Sequence, residues 1–164
     1  MVYKIKKGHH NNSNFTLPKL FLGRREHEIE VMFDQTCVYD LHDYNQHDIN
    51  KLWGYSFGHH HRNSFRIGWN YDLVHQMIKI SAYWYNDLKR GYHPISYIRI
   101  NETGKIRVVN DYKQGYIIVT DMSNPNLSHT IPFDFPFFKI GYYLDVWFGG
   151  DMVAPHDMSV LLKT

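Results

Sequence analysis

Met77-Ile78-Lys79-Ile80-Ser81-Ala82-Tyr83-Trp84-Tyr85 decides the fold class. Ile78, Ile80, Ala82 and Trp84 fall on one side, and Lys79, Ser81, Tyr83 and Tyr85 on the other. That period of two is the mark of a β-strand with distinct faces. Asn63-Ser64-Phe65-Arg66-Ile67-Gly68-Trp69, just upstream, repeats the pattern with Phe65, Ile67 and Trp69 on one face. The same reading predicts strands over 28–33, 95–100, 105–109, 116–120, 140–148 and 158–162. Turn signals separate them: Asn70-Tyr71-Asp72, Asn86-Asp87, Arg90-Gly91, Asn101-Glu102-Thr103-Gly104 and Ser123-Asn124-Pro125-Asn126. The only helix-like stretch, 43–53, is short and poorly periodic, and reads as a loop or one helical turn.

Composition agrees. The 164 residues hold two alanines against 13 Tyr, 10 Phe and twelve Asn, so helix formers are scarce and strand formers abundant. The chain is long enough for one domain with a real core. Residues 1–14 are polar and read as a leader or edge segment, and 15–164 as a single domain. The expected fold is all-β: an antiparallel two-sheet jelly-roll sandwich, since each amphipathic sheet must bury one face.

Several function classes are excluded by what is missing. With 18 Lys+Arg against 16 Asp+Glu, the net charge of +2 does not describe a nucleic-acid face. No apolar run reaches the roughly 18 residues of a membrane span. The polar N-terminus carries no secretion signal, which points to the cytoplasm or a virion. One cysteine, Cys37, forbids an internal disulfide and reads as a buried core residue. There is no glycine-rich phosphate loop and no Gly-x-Ser-x-Gly elbow. Of the four glutamates, Glu26, Glu28 and Glu30 recur at period two and read as a solvated strand face. Twelve histidines include His59-His60-His61, and a His-x-His pair can hold a metal. No Glu follows at the spacing such a site uses, so no metal or other cofactor is expected.

The strand face away from the core is unusually heavy. It is expected to carry Arg66, Lys79, Tyr83, Tyr85, Tyr143 and Trp147, with Tyr142, Leu144, Val146 and Phe148 pointing inward. Arg with aromatic rings on one face makes a platform for sugars: rings stack on pyranose faces, and Arg binds hydroxyls or carboxylates. The same side chains would equally suit contact with a neighbouring subunit, including another copy of the chain.

Two resemblances add to this. Phe137-Phe138-Lys139-Ile140-Gly141-Tyr142-Tyr143 resembles the Tyr-Phe-Lys-x-Gly-x-Tyr strand of alginate-lyase-type jelly rolls, a branch of the concanavalin A-like fold. The resemblance implies Tyr143 as a catalytic tyrosine, Lys139 as a subsite residue and Arg66 as the carboxylate neutraliser. His60, His61 or His75 would assist. The family's Gln-x-His strand is replaced here by Lys79-Ile80-Ser81-Ala82-Tyr83. The second resemblance covers 61–69, 80–85, 141–150 and 154–158, and is to small proteins of Bacteroidetes and their phages. It implies a lineage. It also brings His156 and Asp157 to attention, either in a turn or at the rim of a groove.

Three functions follow as expectations. The first is a non-catalytic module with a glycan groove built from Arg66, Lys79, Tyr83, Tyr85, Lys139, Tyr143, Trp147 and His156. The second is a virion or assembly protein that uses the aromatic face as an interface. The third is a polysaccharide lyase working through Tyr143, Arg66 and His61.

Overall fold

The computed structural model describes residues 1–14 and 19–164. Its strands are β1 (Val2–Ile5), β2 (Leu20–Leu22), β3 (Glu26–Phe33), β4 (Asn50–Ser56), β5 (Ser64–Asp72), β6 (Met77–Asn86), β7 (Lys89–Ile98), β8 (Thr103–Asp111), β9 (Tyr116–Asp121), β10 (Ser128–Pro132), β11 (Ile140–Leu144) and β12 (Met158–Lys163). They form two antiparallel sheets of six strands. Sheet A runs β1-β12-β3-β8-β9-β10, and sheet B runs β2-β11-β4-β5-β6-β7. Among the described residues helix is limited to two short 3-10 turns, Gln35–Cys37 and Tyr44–His47. Among the described residues no helix is long and apolar enough to cross a membrane.

The period-two reading holds where the strands are amphipathic. In β5 and β6 the residues Phe65, Ile67, Trp69, Ile78, Ile80 and Ala82 are fully buried. They meet Ile29, Val31 and Phe33 of β3 and Ile106 and Val108 of β8 in one core. Tyr55 in β4 reaches across the sandwich and donates to Asn110 Oδ1 in β8, and Asn110 Nδ2 in turn donates to the Arg24 carbonyl at 2.9 Å. Cys37 lies in the core, where burial pushes its thiol up to about 12 and leaves it inert.

Residues 1–14 are built into the sandwich. Tyr3 and Ile5 are buried, and β1 pairs with β12 from Val2↔Leu161 to Ile5↔Met158. Single bridges then join Asn12 to Ile5 and Asn11 to Trp147.

On the outer face of sheet A the three glutamates of β3 are exposed or half-buried. Glu26 pairs with Arg107 at 2.7 Å, and Glu30 with Lys105 at 3.1 Å and Lys163 at 3.4 Å. These are cross-strand charge ladders on a solvated face.

Candidate functional site: a cationic aromatic groove on sheet B

The groove begins from strand register. Directly paired residues on antiparallel strands share a face. Arg66 faces Tyr83 on β6 and Gly54 on β4, and Gly54 faces Leu144 on β11. Ser64 is paired with Tyr85 and, on the other side, with Ser56. This outer face of sheet B forms the floor of a groove of about 1070 Å³. Arg66, Lys79, Tyr83 and Tyr85 stand on it, as expected, with Lys51 from β4 and Arg90 and Tyr92 from β7. His60 and His61 form one wall. The segment carrying Trp147, together with Asn11, Asn12 and Asn14, forms the other.

Charge is distributed by element. The four cations Lys51, Arg66, Lys79 and Arg90 all stand on floor strands, while the carboxylates Asp48, Asp145 and Asp151 stand on flanking loops. Arg66 is half-buried; burial works against its charged form, and the phenols of Tyr83, Tyr142 and Tyr85 lie near enough to act on it. No carboxylate among the described residues pairs with it. Lys51 donates to the Gly149 carbonyl at 3.0 Å, and its ammonium lies 5.3 Å from the centre of the Tyr83 ring. Burial, then the nearby Arg66 charge, draws Lys51 down to about 8.

The aromatic side chains are locked to one another. Tyr83 donates to Tyr85 at 3.3 Å, and the His61 ring lies 5.2 Å from Tyr85. Trp147 stacks on His10 at 5.2 Å and 6° and lines the groove. Burial draws His60 down to about 4 and lowers His61 as well, so both rings are neutral near pH 7. His59, His60 and His61 lie in a turn rather than a strand, with ring centres 4.3–5.4 Å apart. Among the described residues no group of three His, Cys, Asp or Glu has metal-holding geometry.

Four expected site residues, Tyr143, Lys139, His156 and His75, are elsewhere. Tyr143 pairs with Tyr55 and points into the sandwich, packing on Phe21 at 5.4 Å and Trp53 at 6.1 Å. Its neighbours Tyr142 and Leu144 share the Arg66 face instead. The cause is a change of parity. β11 ends at Leu144, and beyond Asp145 the buried residues are Val146 and Phe148, so 140–148 is not one continuous alternation. Lys139 turns its amine onto the Pro136 and Phe137 carbonyls at 2.6 and 3.1 Å, away from the groove. His156 bonds the Thr36 carbonyl at 2.8 Å, and Asp157 pairs with Lys6 at 2.7 Å; neither lines the groove. His75 pairs with Asp72 at 3.0 Å, also outside it.

Comparison with known proteins gives matches in structure alone. No protein-family model and no curated protein matches the chain. An alginate lyase from Alteromonas sp. 272 superimposes with a TM-score of 0.50 at 11% identity, covering 99% of this chain and 78% of its own. The fold is that of the alginate-lyase jelly rolls. A polysaccharide lyase of family 18 aligns over 89% of the chain at 13% identity and TM-score 0.47, and the chain spans 59% of that protein's length. In this concanavalin A-like jelly roll, sheet B carries the groove on its outer face and sheet A carries the charge ladders.

Proposed function

We propose that the sheet B groove is a non-catalytic binding site for an anionic glycan. The observation that carries this reading is Arg66: a half-buried guanidinium at the middle of the floor, with no carboxylate partner among the described residues. A charge taken from water is costly unless paired. A uronate carboxylate or a sulfate ester would supply the missing partner by a two-pronged hydrogen bond. Tyr83, Tyr85, Tyr92 and Trp147 offer rings for sugar faces, and Lys51, Lys79 and Arg90 extend the cationic strip along the floor. A volume of about 1070 Å³ slightly exceeds the roughly 300–1,000 Å³ that one small ligand fills. It suits a short run of sugar units.

A second reading rests on His61. A neutral imidazole, a phenol at Tyr85 and a guanidinium at Arg66 in one groove are the groups a β-elimination uses. The imidazole would take the C5 proton, the guanidinium would neutralise the carboxylate, and the phenol would protonate the departing 4-oxygen. Tyr143, buried on the other face, has no part in it.

One experiment separates these. Acidic and neutral oligosaccharides are arrayed, bound by the purified chain, and the bound material is assayed for the conjugated C4–C5 double bond. Selective binding of acidic glycans, weakened at least tenfold by Arg66→Ala and by Trp147→Ala, without unsaturated product, supports the binding module. Unsaturated product that disappears in His61→Ala supports the lyase. Binding that ignores glycan charge, or that survives Arg66→Ala, overturns both. A stable oligomer that binds no glycan favours the assembly role.

A further inference from the structure

A second cavity lies between the sheets, where β1, β3 and β12 face β4 and β11. It measures about 440 Å³ and is walled by Tyr3, His27, Leu52, Trp53, Tyr143 and Leu162. Its wall comes from strand chemistry. In β3 the alternation turns His27 inward between exposed Glu26 and Glu28. In β4 the register shifts between Lys51 and Trp53, so Lys51 serves the groove outside while Trp53 turns to the space inside. The rings of His27 and Trp53 have centres 4.8 Å apart, and Tyr143 lies 6.0 Å from His27 and 6.1 Å from Trp53.

His27 is 4% exposed, and its Nε2 has no hydrogen-bond partner. The Arg24 backbone lies near the ring and favours its protonated form, and we assign the neutral ring's proton to Nδ1, which makes the unpartnered Nε2 the acceptor. A buried acceptor without a partner is rare enough to need a cause. Burial draws this imidazole down to about 4, so it is neutral near pH 7 and offers no charge to an anion. Two cations, Lys19 and Arg24, and two carboxylates, Glu28 and Asp145, share the lining, so the charged groups select neither sign.

We propose that this inter-sheet cavity binds a small, uncharged ring compound bearing one hydroxyl, of the phenol class, which donates to His27 Nε2. The ring would pack among Trp53, Tyr143 and Leu52, and the hydroxyl would satisfy the lone pair. The contacts proposed here, His27, Leu52, Trp53 and Tyr143, do not line the groove, although Leu144 and Asp145 line both.

The test uses the full chain labelled with 15N in its histidine rings. Phenol is titrated beside anisole, which has the same ring but no donor. The expected result is a saturable shift of the His27 Nε2 signal with phenol, and phenol binding roughly fivefold tighter than anisole, the worth of one neutral hydrogen bond. His27→Phe should erase the difference, and Arg66→Ala should leave it intact. No saturable shift with phenol, as for a cavity that holds only ordered water, overturns the proposal. So does equal affinity for phenol and anisole in the native chain, a comparison that needs no variant to fold.

Discussion

Lys51 shows how one residue couples the groove to pH. Its ammonium is held over Tyr83 and against the Gly149 carbonyl, and burial draws it from 10.5 to about 8. Between those values the unfolded chain carries a proton that the folded chain has shed. Lys51 therefore destabilises the fold fully below about pH 8, and stability recovers as pH rises toward 10.5. An anionic ligand acts in the opposite sense, because it holds the proton on. Affinity for an acidic oligosaccharide is expected to fall above about pH 8, with proton uptake on binding near that pH. Calorimetry in buffers of different ionisation enthalpy measures the uptake, and Lys51→Met should flatten the profile. Arg66 makes the complementary case. Replacing an unpaired half-buried cation with an apolar chain is often neutral or stabilising. Arg66→Met should therefore keep or raise the melting temperature while weakening acidic-glycan binding at least tenfold. A variant that unfolds would mean that Arg66 supports the fold. Arg66, Tyr83 and Tyr85 were legible from alternation alone. Tyr143 was not, because the parity change at Asp145 leaves no mark in residue type.

At the scale of elements, the sequence reading missed β1, β2, β4 and β10, and β4 is the one that matters to the groove. Its stretch follows a 3-10 turn, and nearly every residue is buried, so no alternation announces it. A strand covered on both faces reads as a continuous run, which periodicity cannot separate from a helix. With β4 went Lys51, and with the first half of β7, read as a turn, went Arg90 and Tyr92. β4 also explains why Arg66 lies where it does. A Cβ on Gly54 would meet the Phe65 carbonyl oxygen at 2.1 Å and Arg66 Cα at 2.8 Å. Only glycine lets β5 approach this closely. Gly54→Ala should cost about 2–3 kcal/mol by overpacking and displace Arg66, so urea unfolding and glycan affinity should worsen together. Tyr55 isolates the fold from the site. Tyr55→Phe strands Asn110 Oδ1 and should cost about 1–2 kcal/mol, with glycan affinity unchanged. A change in affinity would show that the inter-sheet tie sets the groove.

On the scale of the whole molecule, the N-terminal segment belongs to both the fold and the groove. Its polar composition suggested a leader or an edge segment, and the edge it is: β1 closes sheet A beside β12, and Val2-Tyr3-Lys4-Ile5 alternates so that Tyr3 and Ile5 go inside. Four residues are too few for the pattern to stand out until β12 is known to lie beside them. Farther on, Asn12 Nδ2 donates to the Val146 carbonyl at 3.2 Å, and His10 stacks on Trp147. The segment thus braces the wall that presents Trp147 to a ligand. Removing residues 1–14 takes two buried hydrophobic side chains, Tyr3 and Ile5, worth about 1.5–3 kcal/mol each, and uncovers β12 with its buried Met158, Val160 and Leu162. The melting temperature should fall by roughly 10 °C or more, read by circular dichroism. Acidic-glycan binding, measured below the new transition, should weaken as Trp147 loses its support. A shortened chain that melts with the full one would show that sheet A does not need β1. A chain that melts early but binds normally would show that the Trp147 wall stands without its brace.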